Sequence, residues 1–378
     1  MKTLLHRLPI LFTVAAGFAG ALRAESYHVF IGTGGPGAKG VYRADFDAKT
    51  GRLGPAALAA EIGSPGFLAL HPDGDKLYAV ADFEGGPGVA GYRVSTAGAL
   101  ERINTSPSGG GGGCHLAVHP SGRFLLTTQY GGGSVALFPL DGEGRLGSAV
   151  LTRHEGPGSG VVADRQKEPH PHWCGFSPDG RFALVPDLGL DGIVVYRVDA
   201  DALSITRHGF LPAPPGSGPR HMRFSPDGRH IYLLNELSLA VSAFAWDAGA
   251  GTARLLTTTP TLDEQVKAGE SFNSAAEILV HPTGRFLYAS NRGHDSVSVF
   301  QADPETAALS VVQVQPVRGA FPRNINLSPC GGWLLAAGAD SHTISVHRVD
   351  PGSGRLTYQL HGVIQAPSPI CLLFVPGR

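Results

Sequence analysis

Short apolar stretches alternate with polar, glycine-bearing turns along almost the whole chain, and one such pairing recurs six times. The turns read HPDG at His71, HPSG at His119, SPDG at Ser177 and Ser225, HPTG at His281 and SPCG at Ser328, spaced by 48, 58, 48, 56 and 47 residues. Each is preceded by a short apolar run (FLAL, HLAV, HMRF, EILV) and followed by another (KLYAV, RFLLT, RHIYLL, RFLYAS). Runs of this length bounded by Pro, Asp and Gly read as strands joined in hairpins. A third run follows, as in SVALFPL, IVVYRV and SVSVF, and a variable stretch completes each unit. Four short strands in roughly 40–50 residues is the repeat of a β-propeller blade.

Six full units occupy about residues 64 to 366, and the leftovers supply a seventh. The C-terminal PSPICLLFVP matches the first strand of a unit, while YHVFIGTG, GVYRADFD and GRLGPAAL near the N-terminus match the other three. Joining the two ends removes a free sheet edge, which otherwise invites aggregation. The pattern therefore predicts an all-β fold, a seven-bladed β-propeller whose last blade is closed by the N- and C-terminal strands. A solenoid, the competing repeat architecture, would not need its termini to complete each other.

Aligning the units on the Ser or His of each turn exposes two polar columns. Five residues before it stand Gly66, Cys114, His172, Arg220, Ala276, Arg323 and, in the closing blade, Ile370. Eleven residues after it stand Asp82, Tyr130, Leu188, Glu236, Arg292 and Ala339. Antiparallel pairing about the turn brings the two columns together at the end of the blade far from it. The first strand of a propeller blade is innermost, so this end rims one mouth of the central channel. His172, Arg220, Glu236, Arg292, Arg323, Tyr130 and Asp82 are expected to converge there. One such charge on its own reads as a solvated or blade-tying group; several in facing columns read as a site. The histidines of the HP turns, His71, His119 and His281, fall at the opposite end and read as structural.

Composition narrows the chemistry. A net charge of −1 over 378 residues gives no nucleic-acid footprint. The four cysteines, Cys114, Cys174, Cys330 and Cys371, lack CxxC spacing, so no zinc site is expected, and their pairing is not readable from the sequence. His170 and His172 form an HPH pair without a third ligand at a recognisable spacing, so neither a metal nor any other cofactor is predicted. The glycine run 109–113 lacks the Lys-Ser/Thr of a phosphate cradle and reads as an inter-blade loop. Lys2 and Arg7, the run LPILFTVAAGFAGAL and the small residues up to Ala24 have the form of a cleaved secretory signal over residues 1–24. Residues 25–378 then form a single exported domain, expected in a bacterial periplasm, with no stable membrane insertion after cleavage.

The segments HPHWCGFSPDGRFALVPDLGLDGI, GSGPRHMRFSPDGRHIYLLNEL, AEILVHPTGRFLYASNRGHDSVSVF and PRNINLSPCGGWLLAAGADSHTISV closely resemble the seven-bladed lactonase family. That family includes the propeller-type 6-phosphogluconolactonases and is related to the fungal carboxymuconate cyclases. The resemblance spans essentially all of residues 25–378. It implies an active site of one His, two Arg and one Glu on neighbouring blades, which fall on His172, Arg220, Glu236 and Arg292. Arg323, Tyr130, Asp82, His221, Glu277 and Asp340 are added as expected substrate contacts. Where many relatives carry Asn-Gln-Ser, this chain has Ala339-Asp340-Ser341, which changes an amide to an acid.

The function expected from these residues is hydrolysis of a sugar-type lactone to its aldonic acid, the small-molecule substrate being anionic. Glu236, or His172 oriented by it, is the expected general base. Arg220 and Arg292 are expected to stabilise the oxyanion. No GxSxG motif is present, so water attacks directly. Two other readings stay open on the sequence: a non-catalytic propeller binding a protein or glycan at its mouth, and a muconate-type cycloisomerase.

Overall fold

At each repeated turn the chain reverses on a glycine. Gly74, Gly122, Gly180, Gly228, Gly284 and Gly331 all have φ between +70° and +80°, a region open to glycine and costly for other residues. Each donates its backbone N–H to the carbonyl of the turn's His or Ser at 2.7–2.9 Å. In the SPDG turns the serine hydroxyl also donates to the aspartate, Ser225 to Asp227 at 2.6 Å and Ser177 to Asp179 at 2.7 Å.

The structure is a computed structural model that describes residues 25–35 and 37–377. Seven antiparallel sheets form a ring, six of four strands and one of five. The innermost strands of blades 1 to 7 are Leu68–Leu70, His115–Val118, Gly175–Phe176, Pro219–Phe224, Ser274–Val280, Pro322–Leu327 and Pro369–Pro376. Blade 7 is closed as expected. The C-terminal Pro369–Pro376 pairs with the N-terminal Ser26–Thr33 in a register that sets Phe30 opposite Leu373, and Gly40–Asp47 follows outside it. The signal-sequence reading falls on residues 1–24, outside the described residues. Among the described residues no helix is long and apolar enough to cross a membrane.

The core lies between the blades. Seven apolar clusters each draw on two neighbouring sheets, so both faces of every blade are buried, which is why the middle strands read as continuous apolar runs. Tyr232, Leu234 and Val241 of blade 4 pack on Ala275, Ile278, Leu287 and Phe300 of blade 5. Tyr27 and Phe46 of blade 7 pack on Trp333 and Leu335 of blade 6. Burying one such large side chain contributes about 1.5–3 kcal/mol, and the contribution is spread evenly around the ring.

The HP-turn histidines add a polar tie at this end. The Nε2 atoms of His71, His119 and His281 lie 2.9, 3.0 and 3.2 Å from the carbonyls of Gly122, Gly180 and Gly331, the turn glycines of the next blades. They are structural, as their place in the repeat suggested.

Candidate active site

The other end of the inner strands is built from irregular backbone. In blade 4, Pro219 pairs with Asn235 and His221 with Leu234, leaving Arg220 as the extra residue of a bulge. In blade 6, Pro322 pairs with Gly338 and Asn324 with Ala337, leaving Arg323 in the same position. A bulge turns one side chain out of the alternation of the strand, and the preceding proline donates no ladder hydrogen bond. The two PR motifs therefore use one local device to aim an arginine at the channel. Glu236 follows directly on the strand His230–Asn235, its N–H bonded to Gly218 O at 2.7 Å.

Five blades and two connections meet at this mouth. A cavity of about 430 Å³ is lined by Cys114 and Tyr130 of blade 2, His172 of blade 3, Arg220 and Glu236 of blade 4, Arg292 of blade 5 and Arg323 of blade 6, with Arg165 and Phe272 from inter-blade connections. A smaller chamber of about 130 Å³ shares Cys114, His172, Arg220 and Arg323 with it and adds His221, Phe67 and Ile370. Larger clefts lie elsewhere, between blades 5 and 6 and among the turns of blades 5 to 7, away from this cluster.

Arg220 is the hub. Its Nη1 donates to His172 Nε2 and to Glu236 Oε2, the latter at 2.8 Å, while its Nε donates to Ala276 O at 2.7 Å. Because a guanidinium only donates, His172 Nε2 must accept, and the imidazole proton sits on Nδ1, which is buried without a partner. Burial, then the charge of Arg220, holds His172 well below the usual histidine range, so the ring is neutral at pH 7. Arg292 reaches Glu236 Oε1 at 3.2 Å and Ala275 O at 2.8 Å. Its Nε is buried without a partner. Arg165 donates to Glu236 Oε1 at 2.8 Å and to the Tyr130 hydroxyl at 3.3 Å. Tyr130 stacks on His170 and meets His172 edge-on.

One carboxylate thus holds three arginines. Burial pushes the Glu236 carboxyl up, but the charges of Arg220 and Arg292 and the hydrogen bond from Arg165 outweigh it and hold the group well below the usual carboxylate range. Burial and the neighbouring Arg220 push Arg292 down to about 9 and Arg323 down to about 10, so both stay charged at neutral pH. Arg323 has no hydrogen bond or ion pair within the described residues. A half-buried guanidinium without a partner is costly and calls for an anion.

The remaining expected contacts divide. His221 lines the inner chamber, its Nδ1 held by Glu277 Oε1 at 3.0 Å and its Nε2 unpartnered. Glu277 is fully buried beneath the cavities and bound to His221, Arg223 and Asn324, at 2.9 Å and 2.8 Å for the last two. It orients rather than lines. Asp82 and Asp340 are exposed and line neither cavity. In blades 2, 3, 4 and 6 the column falls just past the strand end. In blade 1 the strand Lys76–Phe83 runs on beyond it and keeps Asp82 on the ladder opposite Pro87. Asp340 lies one residue past its column and acts on Arg323 only through space.

Arg165 and Phe272 were not singled out by the repeat alignment. Both sit in the two connections that stretch the turn spacing to 58 and 56 residues, against 47 or 48 elsewhere. That excess of about ten residues was the available signal. Asn291 and His294 bond Ser296 at 3.1 and 2.8 Å within the SNRGHDS turn, so Arg292 alone of that turn enters the cavity. The four cysteines are unpaired, and burial pushes the Cys114 thiol up. Among the described residues no cluster of His, Cys, Asp and Glu is arranged to hold a metal.

Fold and site together define a propeller with a cationic pocket and a single carboxylate at one mouth. The chain matches the family model "Lactonase, 7-bladed beta-propeller" over residues 28–374 and belongs to that family. It is 31% identical over 341 residues to the 6-phosphogluconolactonase of Bacillus subtilis, covering 90% of this chain and 95% of that one. It is 34% identical over 328 residues to the 6-phosphogluconolactonase of Formosa agariphila, covering 84% and 90%. The solved structure of the periplasmic gluconolactonase of Pseudomonas aeruginosa matches with a TM-score of 0.85 at 30% identity, over 93% of this chain and 100% of that one. The protein is accordingly a hydrolase acting on the carboxylic ester of a lactone.

Proposed function

We propose that the chain hydrolyses an anionic sugar lactone to its aldonic acid at this mouth. The observation that carries the anionic preference is Arg323, a charged, half-buried group lining both cavities without a hydrogen-bond or ion-pair partner among the described residues. Four arginines against one carboxylate leave the pocket with a positive excess that a substrate anion would balance.

In this reading Arg220 and Arg292 face the carbonyl oxygen and stabilise the charge that develops there. Water adds to the carbonyl carbon and gives its proton to Glu236. The tetrahedral adduct collapses, the ring C–O bond breaks, and Glu236 returns the proton to the departing alkoxide. The product is the open hydroxy acid. His172 is a poor proton acceptor because its Nε2 lone pair is occupied by Arg220, and it serves to hold that guanidinium in place. Arg323 and Arg165 bind the anionic end of the substrate.

Export to the periplasm is part of the proposal. The residues 1–24 and the likeness to a periplasmic gluconolactonase support it, and cell fractionation of the full chain tests it. Substrate choice is tested with a panel of aldonolactones, neutral, carboxylated and phosphorylated, followed by base uptake against the spontaneous rate. Acceleration is expected to be greatest on the charged members. No acceleration on any lactone would overturn the reading.

A further inference from the structure

The three arginines that hold Glu236 are not equivalent. Arg220 and Arg292 come from the blades, their side chains are 3% and 5% exposed, and each is pinned by a backbone carbonyl. Arg165 comes from the connection between blades 2 and 3, and its side chain is 37% exposed. Within the described residues its hydrogen bonds all run through Nη2, to Glu236 and Tyr130. The donors on Nε and Nη1 are left for solvent or a ligand.

The backbone that carries Arg165 is held firmly, so its placement is built rather than incidental. Asp187 accepts from His154 Nδ1 at 2.6 Å and from the His170 N–H at 2.7 Å, tying down both ends of the connection. Asp191 accepts from Ser159 Oγ at 2.7 Å and from Gln166 Nε2 at 2.6 Å. Gln166, next to Arg165, also accepts from the Val162 N–H at 2.9 Å and donates to Leu188 O at 2.8 Å. The result is a rigid arch with one wet guanidinium over the carboxylate.

We propose that Arg165 is a displaceable counter-ion: it pairs with Glu236 in the unliganded site, and an anionic group on the incoming substrate, a carboxylate or phosphate, takes it over. Glu236 then faces fewer donors and accepts the proton of the attacking water more readily. This rests on the assignment of Glu236 as proton acceptor. The charged and titratable groups around Glu236 are Arg220, Arg292, Arg165 and His172, the last at 4.0 Å, with Arg323 and His221 acting from further off. Arg220, Arg292 and His172 are fixed by the blades, so Arg165 is the one that can change partner without distorting a sheet. The exchange also answers a difficulty in the resting site, where a carboxylate held well below its usual range is a weak base. Pairing with an anionic substrate would switch the base on only when the right substrate is present.

The test uses Arg165→Gln and Arg165→Lys in the full chain, with melting curves to confirm folding. For Arg165→Gln, kcat/KM on an anionic lactone should fall about 10- to 100-fold. On a neutral lactone kcat should rise about 3- to 10-fold, because Glu236 no longer waits for displacement. The acid limb of kcat/KM should move to higher pH, since removing a cation raises the carboxyl, and Arg165→Lys should restore part of the wild-type profile. An equal loss on both substrates with an unmoved acid limb would overturn the proposal. A second readout needs no turnover: carbon-13 titration of the Glu236 carboxyl with and without an aldonate. In the wild type the aldonate should raise the Glu236 titration midpoint, and in Arg165→Gln the midpoint should already be raised and respond little. An equal response in both proteins would sink the idea. Absence of turnover in the wild type would count against lactone hydrolysis and leave this titration still decisive.

Discussion

Both ends of this propeller carry polar side chains on the same inner hairpins, yet they are used differently. At the turn end His71, His119 and His281 each reach the glycine carbonyl of the next blade. At the mouth, among the described residues, Arg323 has no hydrogen-bond or ion-pair partner, Arg292 Nε and His172 Nδ1 are buried without one, and three arginines share a single carboxylate. Charge at a strand end does not by itself mark a site. Several charged groups gathered around one cavity with hydrogen-bonding capacity to spare do, because such groups are costly unless something else completes them.

Substitutions at the two ends should separate these uses. The largest effect is expected from Glu236→Gln, which keeps the shape of the side chain and removes the proposed proton acceptor. Its kcat should fall about 100- to 10,000-fold, measured by base uptake. Arg220→Ala should cost about 100- to 1,000-fold, and lysine there should not rescue it, since a single nitrogen lacks the planar fork by which Nε reaches Ala276 O while Nη1 reaches His172 and Glu236. Arg323→Gln should be milder and selective, raising KM for anionic lactones about tenfold with a smaller change for neutral ones. At the turn end, His119→Ala removes the bond to Gly180 and the stack on Phe124, whose centroid lies 4.5 Å away. It should lower stability by about 1–3 kcal/mol, seen in denaturant unfolding, and leave kcat/KM unchanged. The smallest effect is expected from Asp82→Asn, whose exposed carboxylate lies outside both cavities.

Much of this was legible before any coordinates. The recurring HP-x-G and SP-x-G turns marked hairpins, and the leftover strands at the two termini required each other. The columns containing Arg220, Glu236 and Arg292 followed from antiparallel pairing alone. What pairing could not show was the bulge that lifts Arg220 and Arg323 out of the ladder. Nor could it show the longer strand that keeps Asp82 in it. Arg165 and Phe272 escaped because they stand in connections without a repeat register, where side-chain direction is set by tertiary anchors such as Asp187 and Asp191. Glu277 had the right neighbourhood but lies one layer beneath the cavities, bound to His221, Arg223 and Asn324.

The proposed division of labour places catalysis at the mouth and leaves the turns to tie neighbouring blades together. It is tested most directly by the rate of hydrolysis of an anionic aldonolactone by the wild type, Glu236→Gln and His119→Ala, with aldonate binding measured calorimetrically on the same preparations. The account predicts that His119→Ala matches the wild-type rate, while Glu236→Gln binds the aldonate and falls toward the spontaneous rate. Retention of wild-type turnover by Glu236→Gln, in a protein shown to be folded and to bind, would contradict it.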